Sequence, residues 1–226
     1  MNALPRTGPL RGLQDAEGLT WSDDDGMAQV ARYADDESQR LAAVAVGEIG
    51  ARRRHGIKGA GTAAWLHERG VPTPPRANQW LRTAEGDWVL RLGDNEYLVE
   101  AAPGSELVPM LAAAAPAARV HPVPRFDAAL VLCGPRVHEL LRQTCSYDFA
   151  ALAVTERLVV LTSMVGVGVT LLRDDAGAIP LYRLWCDGSW GEYLWTTLVE
   201  VAQSLGGGAV GSQTLSPLIA GPRGRA

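Results

Sequence analysis

Cysteine is scarce in this chain. Cys133, Cys145 and Cys186 are three thiols scattered through 226 residues, too few for a disulfide framework and badly spaced for a zinc site. Cys133 and Cys186 stand in apolar, strand-like runs and read as packing residues, and Cys145 as a half-buried one without a basic neighbour to activate it. No apolar run reaches the ~20 residues that a bilayer span needs, and prolines and Arg6 interrupt the first eleven residues where a secretory signal would lie. A cytoplasmic protein with reduced thiols is expected. Positive charge is also lacking: the formal net charge is −4, so no chain-wide attraction to nucleic acid or anionic membrane is expected. Arg52-Arg53-Arg54 is the one basic run and reads as a solvated patch. His55, His67, His121 and His138 show no metal-ligand spacing, and His67 and His138 read as surface groups on helices. A G-x-S-x-G nucleophile elbow is missing too.

What is present is an ordinary globular balance, 47% hydrophobic and 20% charged. Residues 1–37, with "WSDDDG" and "ADDESQR", read as an acidic polar extension or loose helical arm, and residues 211–226 as a Gly-, Pro- and Ser-containing tail.

Between them the sequence echoes itself. "GIKGAGTAAWL" (56–66) aligns with "VLCGPRVHELL" (131–141), placing Gly59 on Gly134 and Leu66 on Leu141, a shift of 134 − 59 = 75. Further on, Gly104-Ser105 aligns with Gly188-Ser189, a shift of 188 − 104 = 84. Two matches in the same order, nine residues apart in shift, indicate an internal duplication. Residues 38–120 are the first half and 121–210 the second. Each half reads strand, glycine turn, helix, a hairpin of alternating strands (turns "GDN" and "DDAG"), then a Gly-Ser turn and a helix. Two such halves give an α+β fold of pseudo-twofold-related antiparallel sheets with helices on one face.

The last helix is the clearest element. Ser189 and Glu192 have capping-box spacing, and Leu194, Thr197, Leu198, Val201, Ala202 and Leu205 recur on one face before "GGG" ends the helix. "GAGTAA" (59–64) has the letters of a G-x-G-x-x-A dinucleotide turn. The segment before it, "GARRRHGIK", is too polar for a doubly buried parallel strand, and no ribose-binding acid follows at the right distance. Gly59 and Gly134 are therefore read as letting a helix lie close on its sheet.

"AALVLCGPRVHELLRQTCSYDF", "RLGDNEYLVE" and "YRLWCDGSWGEYLWTTLVEVA" resemble the strand–SGP–helix, "LGPDEWLL" and closing strand–helix segments of the sarcosine oxidase gamma subunit. That subunit belongs to the wider folate-binding group that includes the glycine-cleavage T-protein. The resemblance covers about residues 41–208. It implies the duplicated α+β fold with strands exchanged between halves, without the C-terminal barrel of full T-proteins. It implies an accessory subunit of a flavoenzyme complex in oxidative N-demethylation and one-carbon metabolism, without catalytic residues of its own. FAD would sit in larger partner subunits, and Trp190, Tyr193 and Trp195 would face such a partner. The alternative it implies is a stand-alone tetrahydrofolate-binding protein or aminomethyltransferase-like transferase. Arg125, Arg183 and Trp185 are then the candidates for anion pairing and stacking on the pterin. The family's pterin-holding glutamate has no match, since Leu181 or Pro180 stands there and neither side chain offers an acceptor. For the T-protein's catalytic aspartate, Asp127 and Glu48 are the nearest candidates.

Overall fold

A computed structural model describes residues 6–14 and 18–219. The stretch read as a loose arm is a β-hairpin: β1 (Thr20–Asp24) pairs antiparallel with β2 (Met27–Arg32) through Asp25-Gly26, both at positive φ. β1 reads as polar because its residues stay outside the core, whereas Met27, Val30 and Ala31 of β2 are buried. The first half continues through α1 (Glu37–Ala43), β3 (Ala45–Glu48), β4 (Arg54–Lys58), α2 (Thr62–His67), β5 (Gln79–Arg82), β6 (Trp88–Gly93), β7 (Glu96–Glu100) and α3 (Leu107–Ala113). The second runs β8 (His121–Val123), β9 (Asp127–Cys133), α4 (Val137–Thr144), β10 (Val159–Met164), β11 (Val167–Arg173), β12 (Leu181–Asp187) and α5 (Gly191–Ser204). The short β13 (Gly208–Ala209) closes that half, and the stretch expected as a tail begins with α6 (Ser212–Ile219), whose Leu215 and Ile219 are buried.

The larger sheets have matching orders. One runs β5-β6-β7-β4-β8 and the other β10-β11-β12-β9-β3, with β13 added beside β3. Position for position they are the same sheet, except that β3 and β8 have changed places: each opening strand lies in the sheet of the other half. β11–β12, β12–β9, β9–β3, β5–β6, β6–β7, β7–β4 and β4–β8 pair antiparallel, and β13 pairs parallel with β3. The fold is mixed α+β.

Contacts therefore divide the chain otherwise than at residue 120. Among the described residues, one compact unit gathers those up to Ala51, Phe126–Val154 and 161–219; the other gathers Arg52–Arg125 and Thr155–Val160. In the second unit Trp65 and Leu66 of α2 and Leu111 of α3 pack with Ile57, Val89, Tyr97 and Val99 of the sheet. In the first, β9 is buried from Ala128 to Cys133 and β12 from Leu181 to Cys186 without a break. Central strands covered on both faces lose the polar alternation of a half-exposed sheet.

The two glycine junctions carry the same bonds. The Gly134 N–H donates to the Pro180 carbonyl at 3.1 Å, Arg136 N–H to Ala43 at 3.0 Å, and Val137 N–H to Gly134 at 3.1 Å. At the other junction Gly59 N–H donates to Asn95 at 2.8 Å, Gly61 to Arg119 at 3.2 Å, and Thr62 to Gly59 at 3.0 Å. Both glycines have positive φ, +125° at Gly59 and +117° at Gly134. A Cβ would lie 2.1 Å from the Arg119 oxygen in one case and 2.7 Å from the Ala43 oxygen in the other. The donors that a phosphate would need are thus taken by neighbouring backbone.

Two local readings are corrected. Arg54 is no solvated residue: its side chain is 5% exposed and pairs with buried Glu100 at 2.8 Å. Nor does Ser189 cap the last helix. Asp187 instead caps the 3-10 turn (Gly188–Trp190) that leads into α5, accepting from the Ser189 N–H at 2.9 Å and from its hydroxyl, and α5 itself starts after Trp190 with no side-chain cap.

Candidate functional site

β12 delivers the chain to the surface at Asp187, where the unbroken burial of the strand ends. The Ser189 hydroxyl and N–H hold the Asp187 carboxyl below the usual carboxylate range. Behind this turn the backbone passes so close to the Phe126 carbonyl that a Cβ on Gly188 would come within 2.3 Å of it. The Phe126 ring is left 82% exposed.

The 3-10 turn and α5 then send their aromatics to different sides. Leu194, Trp195, Leu198 and Ala202 point inward. Trp190 and Tyr193 point outward, 54% and 49% exposed, with ring centroids 6.2 Å apart in an edge-to-face pair. Tyr193 is anchored by its hydroxyl, which donates to the Val165 carbonyl at 3.1 Å. The three aromatics expected on a partner-facing surface are therefore split. Trp190 and Tyr193 lie together outside, while Trp195 is buried with its ring 5.8 Å from that of Tyr33. Phe126, Trp190 and Tyr193 are thus large exposed aromatic side chains in one compact unit, with Tyr193 fixed by its hydroxyl. Phe126 went unnoticed in the sequence because "RFDAAL" reads simply as the start of a strand.

The residues proposed for a pterin lie elsewhere. Arg183 and Trp185 share one face of β12 and are each 1% exposed. The Arg183 guanidinium lies 3.4 Å from the Asp174 carboxylate and donates to the Ile219 carbonyl at 3.0 Å. Arg125 is half-buried in the β8–β9 connection and belongs to the other compact unit. Leu181 is buried against Cys133 across the β12–β9 ladder. Glu48 ends β3 and accepts from the Gln14 amide at 2.7 Å; Asp127 opens β9 opposite Asp187.

The remaining chemistry-bearing groups are structural in their bonding. His138, expected at the surface, is half-buried and bonded to Tyr182. The three thiols are buried, and burial pushes Cys133 up to about 12 and Cys186 up to about 11, far from a reactive thiolate. Among the described residues no three metal-ligating side chains converge, and no helix is long and apolar enough to cross a membrane.

No family model and no curated protein matches the sequence. Solved structures do match the fold. Aminomethyltransferase T of the glycine cleavage system from Bartonella henselae superposes over 96% of this chain with a TM-score of 0.65 and 14% identity. This chain spans 61% of that protein's length. A chain of the heterotetrameric sarcosine oxidase from Corynebacterium sp. U-96, solved in complex with pyrrole 2-carboxylate, matches 77% of this chain at a TM-score of 0.62 and 22% identity. Of that chain, 92% is covered. The fold is therefore that of the T-protein and of a sarcosine oxidase subunit.

Proposed function

We propose that this chain is an accessory, gamma-type subunit of a heteromeric sarcosine oxidase-like flavoenzyme complex, cytoplasmic, serving oxidative N-demethylation and one-carbon metabolism. The observation that carries the reading is the exposed Trp190–Tyr193 pair with Phe126 in the same compact unit, on a fold that nearly covers one chain of a heterotetrameric oxidase. Aromatic anchors of this kind dominate protein–protein affinity. FAD belongs to the larger partners, and this chain contributes surface rather than catalytic groups. The two halves are taken as products of a duplication, supported by their matching strand orders and glycine junctions.

The test is purification of the tagged full-length chain from its own cells. A complex with flavin absorbance and sarcosine-dependent oxygen consumption is expected. Recovery as a flavin-free monomer, with no such activity in the fraction, overturns the proposal.

The likeness to aminomethyltransferase T over nearly the whole chain favours a second reading, a stand-alone tetrahydrofolate-binding protein or transferase. Arg125, Arg183 and Trp185 are the residues proposed for the pterin in this reading, and use of Arg183 requires it to exchange Asp174 for the ligand. Calorimetric titration with tetrahydrofolate separates the readings: heat from the isolated chain supports the second, its absence the first.

A further inference from the structure

The Arg52–Arg125 unit holds a groove of its own, about 760 Å³ and away from the aromatic surface in sequence. That volume falls in the range of ligand sites for molecules larger than a single amino acid. Three segments line it: Arg69–Pro72 after α2, Thr83–Asp87 in the β5–β6 hairpin, and Pro103–Leu107 leading into α3. Gly70 and Gly104 sit in it at positive φ, and a Cβ built on either meets nothing within 4 Å. Both rims are therefore bare backbone, low enough for an extended chain to lie against.

Charge is distributed unevenly among the segments. Arg69 supplies the cation. Its guanidinium stacks 4.0 Å over the Trp65 ring and donates from one terminal nitrogen to the Trp65 carbonyl at 2.9 Å. Glu68 lies 3.8 Å away, itself 70% exposed, too loose and wet to neutralise it. Nε–H and the second terminal nitrogen of Arg69 have no hydrogen-bond partner among the described residues, on a side chain already immobilised. Asp87 is buried and satisfied, accepting from Ala102 N–H at 2.7 Å and from the Thr83 hydroxyl at 3.2 Å, so it shapes the hairpin. Glu85 and Glu106, from the other two segments, are exposed and make no ion pair among the described residues. One pre-positioned guanidinium and two unpaired carboxylates around bare backbone suit a ligand with one negative and one positive end.

We propose that this groove binds a short zwitterionic peptide, its terminal carboxylate on Arg69 and its ammonium toward Glu85 and Glu106. Arg suits the carboxylate because two N–H groups remain to meet two oxygens.

The test changes the ligand first, so that folding is not at issue. Trialanine is titrated into the full-length protein while amide resonances are followed by NMR. Shifts confined to the three lining segments are expected. Amidation of the peptide's C-terminus should weaken binding about tenfold, the loss of one charged hydrogen-bonded end, and N-acetylation by a similar factor. With Arg69→Gln, amidation should make no further difference, and with Glu85→Gln plus Glu106→Gln, acetylation should make none. Absence of shifts at about 10 mM peptide, weaker than any physiological recognition, overturns the proposal. So does equal binding of the doubly capped peptide.

Discussion

The hydroxyl of Tyr182 lies 2.8 Å from Nε2 of His138 and 3.0 Å from the Phe149 carbonyl oxygen. A phenol has one hydrogen, and the carbonyl can only accept, so Tyr182 donates to Phe149 and His138 donates to Tyr182. Burial keeps the phenol protonated, raising Tyr182 to about 12. Burial also lowers the His138 pKa from 6.5, helped by Arg173 and Arg142 and opposed by Asp175 and Asp148.

The sign of the pH dependence follows. A histidine whose folded pKa is depressed is neutral in the native state, so its stabilisation is present above about 6.5 and is lost as pH falls from there through the folded value. His55, lowered by burial, acts in the same direction. Tm should fall between pH 7 and pH 5, and His138→Gln, which keeps a donor but cannot titrate, should flatten that fall. An unchanged slope in thermal scans would remove His138 as its source.

Glu37 is a second test of bonding. It is 1% exposed and accepts from the Tyr33 N–H at 2.6 Å, the Gly211 N–H at 2.9 Å and the Thr214 hydroxyl. Glu37→Ala leaves all three donors without their acceptor and should cost about 3 kcal/mol or more in urea denaturation. Proteolysis near residues 211–219 should quicken as α6 loosens.

The glycine junctions give a graded pair. Gly59→Ala and Gly134→Ala both place a Cβ at positive φ against a carbonyl oxygen, each costing about 1–3 kcal/mol or more. Gly59→Ala should be the worse, since its oxygen lies at 2.1 Å against 2.7 Å. Chemical denaturation midpoints measure the order.

For the aromatic surface, Trp190→Ala with Tyr193→Ser should leave the isolated chain within about 1 kcal/mol of wild type, because both side chains are half-exposed. Under the proposed subunit role, recovery of a flavin-containing complex should nevertheless drop. Trp195→Ala, in contrast, should destabilise the chain itself by about 3–5 kcal/mol.

Thiol chemistry offers a quick check. With all three cysteines buried, a disulfide reagent at pH 8 should modify the native protein far more slowly than the urea-unfolded one, where three thiols should titrate at once.

Much of this architecture is legible in the sequence. The hairpins β6–β7 and β11–β12, the strand–glycine–helix junctions and α5 all show in alternation, turn residues or helical spacing. The short or edge elements do not. β3 is four residues inside an apolar run, β13 is two glycine-rich residues, and β1 looks polar because it stays outside the core. The Ser189–Glu192 spacing misleads because Asp187, at the strand end, takes the donors first. Closeness in sequence groups Trp195 with Trp190 and Tyr193, although Trp195 is buried and the other two are exposed. Arg183 and Trp185 are not recognisable as interior residues, because alternation along a strand cannot reveal that both its faces are covered.

The displaced opening strands bear on synthesis of the protein. β3 emerges from the ribosome early, yet its neighbours β9 and β13 arrive with Asp127 and Gly208. The five-stranded sheet has all its members once Val123 is made, whereas the six-stranded one must wait for Ala209. A translational pause or nonsense mutation just before residue 208 would thus leave a chain rich in secondary structure with one side of β3 still unpaired, open to a stray strand from another copy.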